Sequence, residues 1–238
     1  MTQLAQKPQT APVREPVQAP AVVSTPSYAL SASLVTLSEP GSEQAESIRA
    51  LRTRLMSQHF EMGRRALAVC AATPDVNCTF VASNLAVSLA QIGLNTLLID
   101  ADLRRPGVDS FIQPPPPVTG LIQKLSSPDD HVGQFIHHNV IPNLSVLFAG
   151  GVAVNAQELL SNASFNDLME QCLRDYDATI VDTPPASVCA DVQRVGAIVG
   201  YSLIVAKQNV SRVGDLRTLI SQLESDGVSV VGTVLSEA

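Results

Sequence analysis

Positive charge is in short supply in this chain: 15 Lys and Arg stand against 22 Asp and Glu, for a net charge of −7 at pH 7. Without an excess of cations to displace phosphate counterions, nucleic acid is disfavoured as the main partner. Cysteine is scarce too. Cys70, Cys78, Cys172 and Cys189 are scattered without CxxC spacing, which suggests neither a disulfide framework nor a zinc site and fits a reducing cytosol. Long hydrophobic runs are missing as well: the longest, residues 195–206, is too short to cross a bilayer and is broken by Gly200, Tyr201 and Ser202. The amino-terminal stretch has no hydrophobic signal core. Any membrane association is therefore expected to come through a partner.

What is present is enough for one core. With 238 residues, 45% of them hydrophobic, and a mean hydropathy of +0.19, the chain can bury a single full domain. Residues 1–40 differ in kind, being rich in Pro, Gln, Ser and Thr with Pro8, Pro12, Pro16, Pro20 and Pro26 spaced along them. They are expected to be a disordered tail, and residues 41–238 the folded domain. Within the tail, residues 28–37 (YALSASLVTL) are apolar enough to dock on the domain or on a partner; the plainer reading is a mobile linker. Ser42 is placed to cap the first helix.

From Ala66 onward strand and helix signals alternate. Strand-like runs fall at residues 66–71, 96–99, 144–148, 178–181, 203–206 and 228–235, with helical patterns at 79–92, 165–174, 190–199 and 211–225. This predicts an α/β fold, a mostly parallel sheet with helices on both faces and its site at the carboxyl ends of the strands. A further helix is predicted over residues 42–60, where Ile48, Leu51 and Leu55 form an apolar stripe and Glu46, Arg49 and Arg52 recur every third residue. That charged row is either a solvated face with internal ion pairs or a subunit interface. His131, His137 and His138 have no ligand spacing and are expected to cap or line a surface helix, and Pro114 to Pro117 to form a stiff polyproline loop.

Three motifs carry chemistry. The strand at residues 66–71 and the helix after it frame a phosphate-binding loop, yet where GxxxxGKS/T is expected the chain has Ala72, Thr73, Pro74, Asp75, Val76, Asn77, Cys78 and Thr79. Cys78 stands where the lysine belongs, Asn77 where the glycine belongs, and Asp75 lies among amides meant for an anion. The run LLIDADLRRP ends a second strand in Asp100 and Asp102, a pair suited to a divalent metal or to accepting a proton. VDTPP ends a third in Asp182.

Together with Gly120-Leu121 and Leu125, Ala149-Gly150, the run Asn155 to Leu160 (NAQELL) and the Glu46, Arg49, Arg52 helix, these motifs resemble the bacterial tyrosine autokinases of capsule and exopolysaccharide synthesis. Those are P-loop proteins related to the MinD and ParA ATPases. The resemblance spans roughly residues 46–235. It implies that residues 72–79, including Ala72, Thr73, Asn77, Cys78 and Thr79, correspond to the nucleotide loop, that Thr79, Asp100, Asp102 and Asp182 correspond to the metal site, with the three acids as candidate catalytic groups, and that Glu46, Arg49 and Arg52 make subunit contacts. The alternative for the acids is structural, as partners of Arg104 or Arg105 or as caps.

Two departures bear on activity. The lysine is missing, and the tyrosine cluster that active members carry beyond the last strand is absent from a sequence that stops at Ser236, Glu237 and Ala238; among Tyr28, Tyr176 and Tyr201 only Tyr28 lies on an expected flexible segment. With no histidine or second cysteine near it on the loop, Cys78 is expected to be inert. The expected molecule is a cytoplasmic pseudokinase, peripheral at the inner membrane. It would act by binding a membrane polysaccharide co-polymerase or an active paralogue, as a homo- or hetero-oligomer, without a cofactor or with at most weak Mg-ATP or ADP binding. The alternatives are a divergent ATP-dependent tyrosine kinase or ATPase of the same pathway and a MinD-like positioning protein.

Overall fold

A computed structural model describes residues 27–236. A seven-stranded sheet runs through them. Its members are β2 (Ala66–Ala71), β3 (Thr96–Asp100), β5 (His137–Ile141), β6 (Leu144–Leu147), β7 (Ala178–Asp182), β8 (Tyr201–Lys207) and β9 (Ser229–Ser236), in the order β5-β6-β3-β7-β2-β8-β9. All neighbours are parallel except β5, which pairs antiparallel with β6 at one edge. Two further strands, β1 (Ala29–Leu30) and β4 (Ile112–Gln113), form a small antiparallel ladder of their own.

The strand runs are continuously apolar because both faces are covered. Along β2, Leu67, Val69 and Ala71 join one core with α2 (Glu43–Gln58) and α3 (Cys78–Gln91), while Ala66 and Ala68 face α4 (Leu121–Ser126), α5 (Ala156–Ser161), α6 (Ala163–Asp175) and α7 (Asp191–Val199). Cys70 and Ile204 meet α7 and α8 (Val213–Ser225). α3 is buried on every side from Val81 to Ala90, between the sheet and α2. Its Ala82, Ala86 and Ala90 allow that close approach. Ser42 caps α2 as expected, its Oγ accepting from the Ala45 amide at 3.1 Å.

Two expectations are corrected. The folded part does not begin at residue 41: β1 and α1 (Val35–Ser38) are already packed on the domain, with Leu34 fully buried. Leu34 and Val35 bury enough apolar surface to offset ordering a short segment, which a composition average over the Pro-rich tail conceals. Residues 1–26, with the spaced prolines, lie outside the described residues. The histidines also differ. His131 caps a single 3-10 turn through Nδ1, whereas His137 and His138 sit on β5, a polar edge strand without the apolar alternation that marks a strand.

The order of the strands positions the site. β7 inserts between β2 and β3, so that Asp182 pairs in register with both Val69 and Asp100. Three carboxyl-terminal strand ends, a nucleotide-type loop and two acids are thereby brought together.

Candidate functional site

The loop between β2 and α3 turns on left-handed backbone at two residues that are not glycine. Asn77 takes φ +67° and Asp75 φ +61°, left-handed backbone that glycine adopts freely and that Asn and Asp tolerate best among the other residues. Asn77 is further steadied by Nδ2 donating to Ser236 Oγ at 3.2 Å on β9. The backbone thus makes this turn without a glycine. The loop still delivers the first turn of α3, whose amides lack intrahelical partners and carry the positive end of the helix dipole.

The side chains have changed character. Cys78 Sγ donates to the Val69 carbonyl at 3.3 Å, turned back onto the strand, and burial followed by the charge of Asp182 raises its thiol well above the usual range. Burial and the neighbouring acid both oppose its thiolate form. Thr79 Oγ1 donates to Asp182 Oδ2 at 2.6 Å, and Gly107 lies directly over that hydroxyl. Asp182 Oδ1 is buried without a hydrogen-bond partner. Burial first, then the charges of Asp100 and Asp102, raise the Asp182 carboxyl well above its ordinary range.

The other two acids are engaged with backbone. Asp100 Oδ2 accepts from the Gly107 and Val108 amides, each at 3.0 Å, and Oδ1 from Asp102 N at 3.2 Å; burial still raises this carboxyl to about 7. Asp102 Oδ1 accepts from Arg104 N and Arg105 N at 3.1 and 2.9 Å, and burial raises it as well. Among the described residues no three His, Cys, Asp or Glu side chains converge to hold a metal ion. Both acids accept backbone amides of the 100–108 turn.

Arg104 is tied to a residue outside every motif. Its Nε donates to Asp191 Oδ2 at 2.7 Å, and that carboxylate is 1% exposed at the start of α7. No spacing signals this pair, because 87 residues separate its members. Arg105 lines the cavity beside the loop, near Asp102. The cavity measures about 340 Å³ and is walled by the loop, Phe80, Phe111, Pro185 and Val188.

Mg-ATP is the group such a fold implies. The loop backbone, the Thr79 hydroxyl and Asp182 fit it, whereas the thiol at 78 and the exposed carboxylate at 75 do not. The loop itself carries no cation, and the positive charges lining the cavity are Arg104, paired with Asp191, and Arg105.

The α2 row is also already partnered. Arg49 bonds Glu46 at 2.7 Å within the helix, and Arg52 Nη1 donates to Ser88 O and Oγ on α3, both at 3.1 Å. Only the Arg49–Glu46 end remains exposed.

Comparisons with known proteins agree with this geometry. A family model described as an AAA domain matches residues 65–223. The tyrosine-protein kinase etk of Escherichia coli K12 is 34% identical over 202 residues, 85% of this chain and 28% of that protein; the chain thus spans about a quarter of the length of the curated relatives it matches. The solved kinase domain of E. coli tyrosine kinase ETK superposes with a TM-score of 0.80 at 33% identity, covering 86% of this chain and 79% of that one. The chimerical protein CapA2B2 matches with a TM-score of 0.79 at 26% identity over 89% and 92% of the two chains. The septum site-determining protein MinD of Pyrococcus horikoshii, solved with Mg-ADP, shares the fold at a TM-score of 0.60 and 17% identity, over 72% of this chain and 69% of that one.

Proposed function

The chain belongs to the bacterial tyrosine-kinase family and carries its AAA-type domain, and from that premise we propose that it acts without phosphoryl transfer, as a regulatory and scaffolding pseudokinase of surface or exopolysaccharide synthesis and export. Its partners are the cytoplasmic part of a membrane polysaccharide co-polymerase or an active paralogue, and it reaches the inner membrane through them. Glu46 and Arg49 on α2 are the surface offered to such a partner.

One observation carries this reading. At the helix terminus that should face the phosphates, Cys78 turns its sulfur to the Val69 carbonyl at 3.3 Å, and the loop itself carries the exposed acid Asp75. Phosphoryl transfer depends on positioning and charge neutralisation, so the missing cation removes on the order of several kcal/mol, roughly a thousandfold in rate. Arg104 cannot stand in, since releasing it would leave Asp191 buried and unpaired.

A second reading, a divergent kinase or ATPase, is favoured by the intact Thr79–Asp182 contact at 2.6 Å. Titration calorimetry with Mg-ATP separates the two. The parent chain is expected to give no micromolar binding and the double variant Asn77→Gly/Cys78→Lys to gain it. Micromolar binding by the parent that disappears in Asp100→Ala would favour the enzyme reading instead.

A further inference from the structure

Ahead of α2, residues 28–38 form a strap fastened at both ends and thin in the middle. At its start the Tyr28 hydroxyl donates to His137 Nδ1 at 3.1 Å, because Nε2 of that ring lies 3.2 Å from the Thr119 carbonyl and must carry the proton. At its end Leu34 is fully buried in the α2–α3 core, and α3 holds the strap backbone twice: Asn84 Nδ2 donates to Ser33 O at 3.0 Å and Gln91 Nε2 to Thr36 O at 3.1 Å. Between these anchors Ala29 and Leu30 are exposed. They are joined to β4 by the Ala29–Gln113 and Leu30–Ile112 pairs, and the Ser31 amide donates to the Phe111 carbonyl at 2.9 Å.

Phe111 connects the strap to the site. Its ring meets Phe80 edge to face with centroids 6.3 Å apart, and both rings line the cavity that also contains Cys78. The geometry points to a strap-controlled wall. While residues 28–38 are docked, Phe111 is held against Phe80 and that side of the cavity is closed; when the strap lifts, Phe111 is released and the cavity opens. A ladder of only two residue pairs, exposed at Ala29, Leu30 and Gln113 while Ile112 stays in the core, belongs to the low-stability end of a structure, where opening needs no global unfolding. A partner that draws the chain at Tyr28 away from His137 acts through this path on the loop cavity. The inference stands whether or not the cavity takes nucleotide.

Cys78 is a built-in reporter: it is partly buried on the wall of this cavity, so widening the cavity raises its rate of reaction. Alkylation by N-ethylmaleimide is followed peptide by peptide by mass spectrometry, with the buried Cys70 and Cys172 reporting global unfolding. Ser31→Pro deletes the donor to Phe111 and is expected to speed Cys78 alkylation about tenfold or more while Cys70 and Cys172 stay unchanged. In Ala29→Cys/Gln113→Cys, oxidation ties β1 to β4, and the Cys78 rate is expected to fall below the parent's and to recover on reduction. Cys78 rates that are the same in both variants, or that rise only in step with Cys70 and Cys172, overturn the strap.

Discussion

At the scale of single residues, the site is a cluster of acids whose ionisation is opposed by burial. Asp182 is 1% exposed, shares Thr79 through one oxygen and leaves the other without a partner. A carboxyl raised by folding keeps a proton that the unfolded chain gives up, so stability declines as pH climbs from the unfolded value to the folded one. For Asp100 that window runs from its ordinary 3.8 to about 7, and Asp182 is raised in the same direction. Asp182→Asn removes an ionisation that the fold opposes. Its thermal midpoint relative to the parent is therefore expected to be higher at pH 8 than at pH 5; an equal difference at both pH values would show that Asp182 does not resist ionisation. The sequence showed the three acids at strand ends but not this state, because desolvation depends on what covers a strand end. Nor did it show Asp191, which is an unremarked helix residue until Arg104 reaches it.

Among elements, the ends of helices and the close approaches of loops decide the local geometry. Ser42 accepts the Ala45 amide and ends the chain's entry into α2, so Ser42→Ala should cost about 1 kcal/mol. Gly120 is the sharper case. A Cβ there would collide with the Phe148 carbonyl oxygen, which also accepts the Leu121 amide at 2.7 Å, and the same turn is locked by Gln123, whose Nε2 donates to Gly150 O at 2.9 Å. Gly120→Ala should cost about 3 kcal/mol or more, since backbone and not a flexible side chain must yield. Urea denaturation of both variants checks the ranking; a milder loss for Gly120→Ala than for Ser42→Ala would contradict the packing of that turn. The long apolar elements were legible because period and burial agree in them. The β1–β4 ladder, β5, α4 and α5 were not, being short or polar elements whose existence rests on what they pack against.

For the whole molecule, the proposed assembly surface is set by how the fold divides the α2 arginines. Arg52 is bound to α3 through Ser88, whereas Arg49 stays at the surface with Glu46, whose side chain is 71% exposed. Arg52→Ala should therefore lose about 1 kcal/mol of stability from the broken contacts. Arg49→Glu should leave stability within about 0.5 kcal/mol of the parent and abolish self-association in sedimentation velocity. A parent chain that sediments as a monomer at every concentration would remove α2 as a surface for further copies. The sequence by itself determined the α/β class, the motifs at the strand ends and the absence of a cation from the nucleotide-type loop, because periodicity and residue identity are local properties. Tertiary structure decided the rest. Only the insertion of β7 between β2 and β3 sets Asp182 beside both Thr79 and Asp100, only packing raises those carboxyls, and only the burial of Leu34 turns part of a Pro-rich leader into a strap on the domain, since each depends on groups distant in the chain meeting where water is excluded.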